Sequence, residues 1–239
     1  MDTSGAAVDY PATERTTPTR SRHRATYDRA AVHAILDEGY LCHLGFVRDG
    51  APVVLPTLYA RVGERLYLHG STGSRPLLAA ERGSGLPVCL TVTHVDGLLL
   101  ARSAFHHSVN YRSVVVHGTA RTVTDTADRL TALAALVDHV VPGRSADCRP
   151  PSDRELAATA VLELELSEVS AKVRAGGPND DDADLTLPHW HGVLPVTTVH
   201  GPPEPAADAA DAAPAPPYLR NYARPRAGDG VWDAETGNP

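Results

Sequence analysis

The chain has 239 residues, of which 42% are hydrophobic, and its formal net charge is -7. This length and apolar content suit one domain with tails, and the acidic balance disfavours a general nucleic-acid-binding surface, which would be basic. No stretch approaches the roughly 20 apolar residues of a membrane helix. The first residues lack the apolar core of a signal peptide, and the three cysteines show no disulfide or metal-site spacing, so we expect a cytoplasmic protein without a metal.

Composition divides the chain into three parts. Residues 1–22 are rich in Thr, Ser, Pro and Arg and are predicted to form a flexible lead-in. Residues 23–200 form the predicted folded domain. Residues 201–239 are rich in Ala, Pro and Asp, so they offer too little apolar surface to offset the entropy of ordering, and we expect a disordered tail.

The first predicted elements of the domain are a helix and a strand hairpin. Asp28 is the predicted N-cap of the helix and Gly39 ends it. Strands are predicted at 40–47 and 51–62, joined by an Asp-Gly turn. Pro56 lies inside the second strand and cannot donate a ladder hydrogen bond, so it indicates a strand edge or a bulge.

The remaining elements follow from apolar periodicity and turn residues. They are a strand at 65–70, a short helix at 74–82, a strand at 86–95 followed by a hairpin at Asp96-Gly97, a strand at 110–123, a helix beginning near residue 125, and one long strand at 158–176. The strands come in hairpin-linked runs, which favours an antiparallel β-barrel with helices packed outside it.

Residues 69–75, HGSTGSR, join a strand to a helix and contain the first candidate site. Glycine lets the backbone approach a ligand closely, and a helix N-terminus favours an anion. His69, Gly70, Ser71, Ser74 and Arg75 would together form a small phosphate site. The alternative is an ordinary Gly/Ser turn in which Ser74 is the helix N-cap.

Two further groups of residues stand out. Asn110, Tyr111, Arg112 and Ser113 cluster at the start of a strand, and they form either a second anion contact or a polar edge that faces water. Trp190 lies between two histidines and two prolines, and it is either a core residue or a planar wall against a flat cofactor.

The body of the chain resembles the flavin-nucleotide-binding, nitroimidazole-resistance-type branch of the pyridoxamine 5'-phosphate oxidase-like split-barrel proteins. The resemblance spans about 22–200. The segments that carry it are YLCHLGFVRDGAPVVLPTLYARVGERLYLHGSTGSR, VCLTVTHVDGLLLARSAFHHSVNYRSVVVHGTA, VVPGR and SAKVRAGGPNDDDAD followed by LPHWHGVLPV. It implies a six-stranded antiparallel Greek-key split β-barrel that binds FMN at the interface of a homodimer.

The resemblance also implies roles for individual residues, and we carry these over as expectations. Pro56, Thr57, Leu58 and Tyr59 stand where a strand follows the flavin ring, and His69 faces the cofactor. Ser74-Arg75 stands at the phosphate-binding position. From the other subunit, the residues expected at the flavin are Arg112, Ser113, Val114 and Trp190. Tyr111, beside Arg112, is a further candidate for cofactor binding.

The chain departs from the vitamin B6 oxidases at several points. Pro76 replaces a lysine after Ser-Arg, Ser113 replaces a glutamine, and the closing Arg-Leu-x-Pro pattern is missing. We therefore expect an FMN-dependent oxidoreductase that acts on a small organic molecule, with His69 as the candidate proton donor. The alternatives are a flavin-storage protein, a heme-binding member of the same barrel, and a deazaflavin-binding one.

Overall fold

A computed structural model of the chain describes residues 8–74, 85–207 and 214–224. Its described strands are β1 (Ala25–Thr26), β2 (Leu41–Arg48), β3 (Ala51–Val62), β4 (Arg65–Ser71), β5 (Leu86–Leu100), β6 (Ser108–Thr122), β7 (Thr159–Glu165), β8 (Glu168–Arg174) and β9 (Gly192–Pro195). Its described α-helices are α1 (Arg29–Glu38), α2 (Thr126–Val140), α3 (Asp153–Ala158) and α4 (Pro217–Arg220). None of these helices has the length and apolar character needed to cross a membrane.

Six strands close into a ring. In order around it they are β2, β3, β4, β7, β6 and β5, and β5 pairs again with β2. Outside the ring, β8 adds to β6, β1 adds to β8, and β9 adds to β5. Every pairing is antiparallel. This arrangement confirms the predicted six-stranded antiparallel barrel with peripheral helices.

The barrel core follows from period-two alternation along the strands. In β2, Cys42, Leu44 and Phe46 are buried, because alternate side chains of a strand point to one face. Helix α1 packs against the same core through Val32, Ile35 and Leu36, none of which is exposed. Asp28 caps this helix by accepting a hydrogen bond from Ala31 N at 2.7 Å, as predicted.

The hairpin between β2 and β3 forms as expected. Asp49 and Gly50 both have positive φ angles, 51° and 77°, which are typical of the two-residue turns that match strand twist. Pro56 lies in the part of β3 that pairs with β2 alone, since the described pairing with β4 begins at Tyr59. The predicted strand edge at Pro56 is confirmed.

The hairpin predicted at Asp96-Gly97 is wrong. Strand β5 runs without a turn from Leu86 to Leu100, and its pairing with β6 shifts register between Val95 and Gly97. The Asp-Gly pair therefore forms a β-bulge, which leaves Asp96 out of the ladder. The consequence is local: the Asp96 carboxylate is free to contact Arg112 on the neighbouring strand.

The single long strand predicted over 158–176 is also wrong, because the chain turns at Leu166-Ser167 and forms β7 and β8. The buried residues show the break: Leu162, Leu164 and Leu166 have even numbers, whereas Val169 and Ala171 have odd numbers. A change of phase in a period-two pattern means that the strand has been interrupted.

Helix α2 forms where expected. Ala132 and Leu136 are buried, whereas Leu130 and Val137 are 39% and 38% exposed. The helix packs outside the ring, against the barrel residues Val123 and Val161. The short helix predicted at 74–82 lies outside the described residues from position 75 onward.

Both ends of the chain pack further onto the body than composition indicates. Tyr10 is 2% exposed, and its hydroxyl donates a hydrogen bond to Glu64 at 2.7 Å. This differs from the flexible lead-in predicted for residues 1–22. Residues 214–224, within the tail expected to be disordered, contact both α1 and α2 through Arg224.

Candidate functional site

Several predicted residues of β3 and β4 share the sheet surface that faces away from the barrel core, which we call the outer face. The ladder pairs Leu41 with Leu58 and His43 with Pro56. Tyr59 and Leu68 form the last described pair between β3 and β4, and both point into the core. Because side chains alternate along a strand, Leu58 and His69 both point to the outer face.

This part of the outer face is apolar and has a free backbone edge. Leu41 and Leu58 are 47% and 36% exposed. Along β3 from residue 51 to residue 58, the described residues pair with β2 only, so the other edge of the strand keeps N–H and C=O groups available. An exposed apolar strip beside free backbone hydrogen-bonding groups fits a flat heterocyclic ring with polar edges.

The turn that follows β4 is closed by its own hydrogen bonds. Ser74 N donates to Ser71 O at 2.7 Å, Gly73 N donates to Ser71 Oγ at 3.3 Å, and Thr72 N donates to Ala158 O at 3.0 Å. The Ser74 hydroxyl makes no hydrogen bond with the described residues. This hydroxyl and the Ser71 O–H can therefore still donate to an anion, whereas Arg75 lies outside the described residues.

A cavity of about 670 Å³ adjoins the outer face. Leu41 and His43 belong to both, and β5 contributes Thr93 to Asp96. The cavity is also lined by residues 196–200 and 222–224. His43 makes no hydrogen bond with the described residues, so its imidazole is open to a ligand.

An ion cluster of three residues forms one side of this cavity. The Arg112 guanidinium donates to Asp96 through Nε at 2.9 Å and Nη2 at 2.7 Å. It also donates to Glu38 through Nη1 and, at 3.0 Å, through Nη2. Burial alone would lower the pKa of Arg112, but the hydrogen bonds to Glu38 and Asp96 outweigh that effect and raise it.

Arg112 is therefore already paired within its own chain. Its side chain is 10% exposed and contacts two carboxylates, which neutralise its charge. The resemblance implied that Arg112 contacts a cofactor from the other subunit. The structure instead gives this side chain two internal anionic partners.

Two other predicted residues have side chains that do not reach the outer face. Tyr59 is fully buried, and its hydroxyl donates to Leu36 O at 2.5 Å inside the core. Val114 is also fully buried in the core. Desolvation by burial, the main cause, raises the pKa of Tyr59. Cys42 is likewise buried in the core.

The predicted residues of β6 and the late tryptophan lie apart from β3 and β4. Around the ring, β2 and β5 separate β6 from β3, and β7 separates β6 from β4. Tyr111 pairs with Val95, and the Ser113 hydroxyl donates to Lys172 O at 3.3 Å. Trp190 is 68% exposed and packs beside Gly192. One chain therefore does not bring all the predicted residues together.

Sequence reasoning missed four residues at the cavity: Glu38, His43, Asp96 and Arg224. Glu38, Asp96 and Arg224 have partners far away in the sequence, so no local spacing marks them. His43 makes no hydrogen bond with the described residues, so no partner marks it either. A usable signal existed for Arg224, because the stretch PYLRNYAR places aromatic and basic residues inside an Ala/Pro tail. Such a change in composition indicates a docking segment.

Comparisons with known proteins agree with this fold. A sequence model of the pyridoxamine 5'-phosphate oxidase family matches residues 28–173. A flavocytochrome from Azotobacter vinelandii is 40% identical, with 87% of this chain and 95% of that chain covered and a TM-score of 0.81. An FAD- and heme-binding protein from Mycobacterium smegmatis is 40% identical, with 82% and 96% covered and a TM-score of 0.77.

A more distant structure shares the fold. A candidate 5-nitroimidazole antibiotic resistance protein from Bacteroides thetaiotaomicron is 20% identical, with 62% of this chain and 86% of that chain covered and a TM-score of 0.53. No curated protein matches the chain.

Proposed function

The chain belongs to the pyridoxamine 5'-phosphate oxidase family, and we propose that it is a redox protein that holds a flavin nucleotide and a heme. One observation carries the proposal. Two proteins that are each 40% identical over more than four fifths of the chain are described as a flavocytochrome and as an FAD- and heme-binding protein.

The proposed flavin site is the outer face of β3 and β4. Leu41 and Leu58 offer an apolar surface to the ring, and the free edge of β3 offers backbone groups to its polar rim. The hydroxyls of Ser71 and Ser74 are at the end of β4, where the phosphate would bind, and we keep Arg75 in that role. The resemblance favours FMN, whereas the Mycobacterium smegmatis neighbour is described with FAD.

The proposed heme ligand is one of two imidazoles. His43 lines the cavity, and His69 is exposed on β4. Neither makes a hydrogen bond with the described residues, so either ring nitrogen could bind iron. His94 is a weaker candidate because its Nε2 lies 3.0 Å from Ile35 O, within hydrogen-bond distance.

The chemistry of the proposed protein is electron transfer, which bound flavin and heme can both perform. The protein residues would hold the two groups close together and exclude water from their apolar faces. If His69 does not bind iron, its position beside the proposed flavin site suits it to donate a proton to a small reduced substrate.

We also propose that the protein is a homodimer. The outer face and the adjoining strands expose large apolar side chains, which a second copy would cover. Examples are Val47 at 67%, Val54 at 63% and Leu194 at 54% on the strands, and Trp190 at 68% just before β9. Light scattering of the purified protein checks this, and a monomer would contradict it.

The test of the proposed function starts with an absorbance spectrum of the purified protein. Heat release followed by mass spectrometry then identifies the released groups and separates FMN, FAD and deazaflavin. We expect flavin bands together with a Soret band. Flavin without heme would reduce the proposal to a flavin oxidoreductase or storage protein, and reduction by NAD(P)H with re-oxidation by an added acceptor would distinguish these two.

Variants locate the heme ligand. His43→Ala and His69→Ala are compared with His189→Ala, which removes an exposed histidine outside the proposed site. The expected result is that one of the first two loses the Soret band while all three keep the far-ultraviolet circular dichroism of the wild type. An unchanged Soret band in both His43→Ala and His69→Ala would contradict the proposed ligand set.

A further inference from the structure

The C-terminal segment, residues 214–224, packs on the body of the protein although it lies in an Ala/Pro-rich tail. It contains the short helix α4 and three side chains that anchor it: Tyr218, Tyr222 and Arg224. The Tyr218 hydroxyl donates to Asp147 at 2.5 Å and accepts from Arg144 at 3.2 Å.

Arg224 makes the most extensive of these contacts. Its guanidinium donates to the carbonyl oxygens that end α1, at 2.6 Å for Asp37, 2.5 Å for Glu38 and 3.0 Å for Gly39. It also donates to the carbonyl oxygens that end α2, at residue 139 and, at 3.3 Å, at residue 140.

This arrangement has a clear physical reason. The last carbonyl groups of a helix have no partner within the helix, and they carry its partial negative charge. The planar guanidinium has five N–H donors and a permanent positive charge, so one Arg224 side chain can satisfy the ends of two helices at once. No other residue type could make all of these contacts.

Tyr222 fixes the same segment against the body. Its hydroxyl donates to Val140 O, and its ring meets the edge of His200 at a centroid distance of 4.6 Å. The Arg224 guanidinium also lies 5.2 Å from the centre of the Tyr40 ring. The contacts of Tyr222 and Arg224 therefore join the C-terminal segment to the ends of α1 and α2 and to His200, which follows β9.

The position of these residues connects the segment with the cavity. Residues 222–224 and 196–200 line the cavity together with His43 and Tyr40. We propose that Arg224 is a positioning residue, which holds the C-terminal segment as the closing side of a heme pocket. The inference rests on the proposed function for the identity of the occupant, but the contacts of Arg224 do not depend on it.

The test compares Arg224→Ala with Arg220→Ala in the full chain. Arg220 is exposed on α4, and its side chain makes no hydrogen bond or ion pair with the described residues. Arg220→Ala is therefore the control, because it also removes one positive charge from the segment. Chymotrypsin cleavage after Tyr218 and Tyr222 reports release of the segment. Transfer of heme to excess apomyoglobin reports opening of the cavity, and flavin release is followed by fluorescence.

We expect Arg224→Ala to raise both the cleavage rate and the heme-transfer rate by about tenfold or more, which corresponds to about 1.4 kcal/mol. Arg220→Ala should behave as the wild type. Arg224→Lys should be intermediate, since an ammonium group keeps the charge but cannot reach both helix ends. Flavin release should change less than heme release, because Leu41 is the one described residue of the proposed flavin site that also lines the cavity beside the segment.

The outcomes separate the two proposals. If the C-terminal segment of Arg224→Ala is cleaved no faster than that of the wild type, the proposed positioning role of Arg224 is wrong. A released segment with an unchanged heme-transfer rate would overturn the closing of the pocket. A wild-type protein that takes up no heme would refute the heme part of the proposed function and the occupant, while cleavage would still decide the role of Arg224. If Arg224→Ala does not fold, the milder Arg224→Lys tests the same release, since it keeps the charge and both chymotrypsin sites.

Discussion

Replacing Arg112 with methionine should reduce the stability of the protein far more than it reduces flavin binding. Four N–H···O hydrogen bonds join this guanidinium to two carboxylates, of which Glu38 is 15% and Asp96 36% exposed. Methionine replaces the aliphatic part of the arginine side chain but has no guanidinium, so Arg112→Met leaves both carboxylates without this partner.

The size of the effect follows from the burial of the cluster. Removing one partner of a buried ion pair costs about 3–5 kcal/mol. Solvent screens the Asp96 share because that side chain is more than a third exposed, so we expect a loss of about 3 kcal/mol in the free energy of unfolding. For a domain of this size, that loss lowers Tm by about 6–12 °C.

Urea unfolding followed by circular dichroism measures this loss, with Glu38→Gln and the double variant completing a cycle. We expect the double variant to be more stable than Arg112→Met, because it removes the charge of one of the two carboxylates that lose Arg112. The reasoning is refuted if Arg112→Met unfolds within about 1 kcal/mol of the wild type while its flavin dissociates much faster. That result would mean that Arg112 acts on the cofactor instead of on its own chain.

Three further predictions concern packing, titration and reactivity. A Cβ atom added at Gly39 would lie 2.8 Å from Tyr59 Oη, so Gly39→Ala should cost about 1–3 kcal/mol in urea unfolding, and an unchanged value would contradict the close approach. Burial, opposed by a hydrogen bond to the Gly39 carbonyl, lowers the pKa of His139. The unfolded chain therefore binds the proton more tightly, and the free energy of unfolding should fall as the pH falls below about 6.5. His139→Gln should show a weaker fall between pH 7.5 and 5.5, and a fall equal to that of the wild type would count against the prediction. Desolvation raises the pKa of the Cys42 thiol to about 12. A thiol reagent at neutral pH should therefore modify the exposed Cys148 and leave Cys42 unmodified until the protein unfolds. Rapid labelling of both cysteines would show that Cys42 is accessible.

Local patterns were sufficient where one strand and its neighbour decide the structure. The alternation in 40–47 and 51–62 and the Asp-Gly pair between them predicted β2, β3 and their turn, because one face of each strand must be buried. The same kind of signal failed at Asp96-Gly97. An Asp-Gly pair suits a bulge as well as a turn, and the ladder between β5 and β6 continues on both sides of it.

Local patterns also explain why the residues of β3 and β4 in the candidate site could be grouped from the sequence. Pro56, Leu58, His69 and Ser71 lie on two neighbouring strands, so a correct strand order was enough to place them together. The resemblance places Tyr59 on the strand that follows the flavin ring, but it does not give the face on which the side chain packs. The step of one residue from Leu58 to Tyr59 reverses that face, so the Tyr59 side chain lies in the core.

The sequence by itself determined the barrel, since period-two alternation and hairpin turns are local and each restricts the strand that follows. Only the tertiary structure decided how the charged residues pair. Arg112 meets Asp96 and Glu38 across 16 and 74 positions, and Arg224 meets the end of α1 across about 186. These pairs form because the folded barrel removes particular carboxylates and helix ends from water, and buried polar groups need a hydrogen-bond partner. No periodicity in the sequence shows which groups will be buried together.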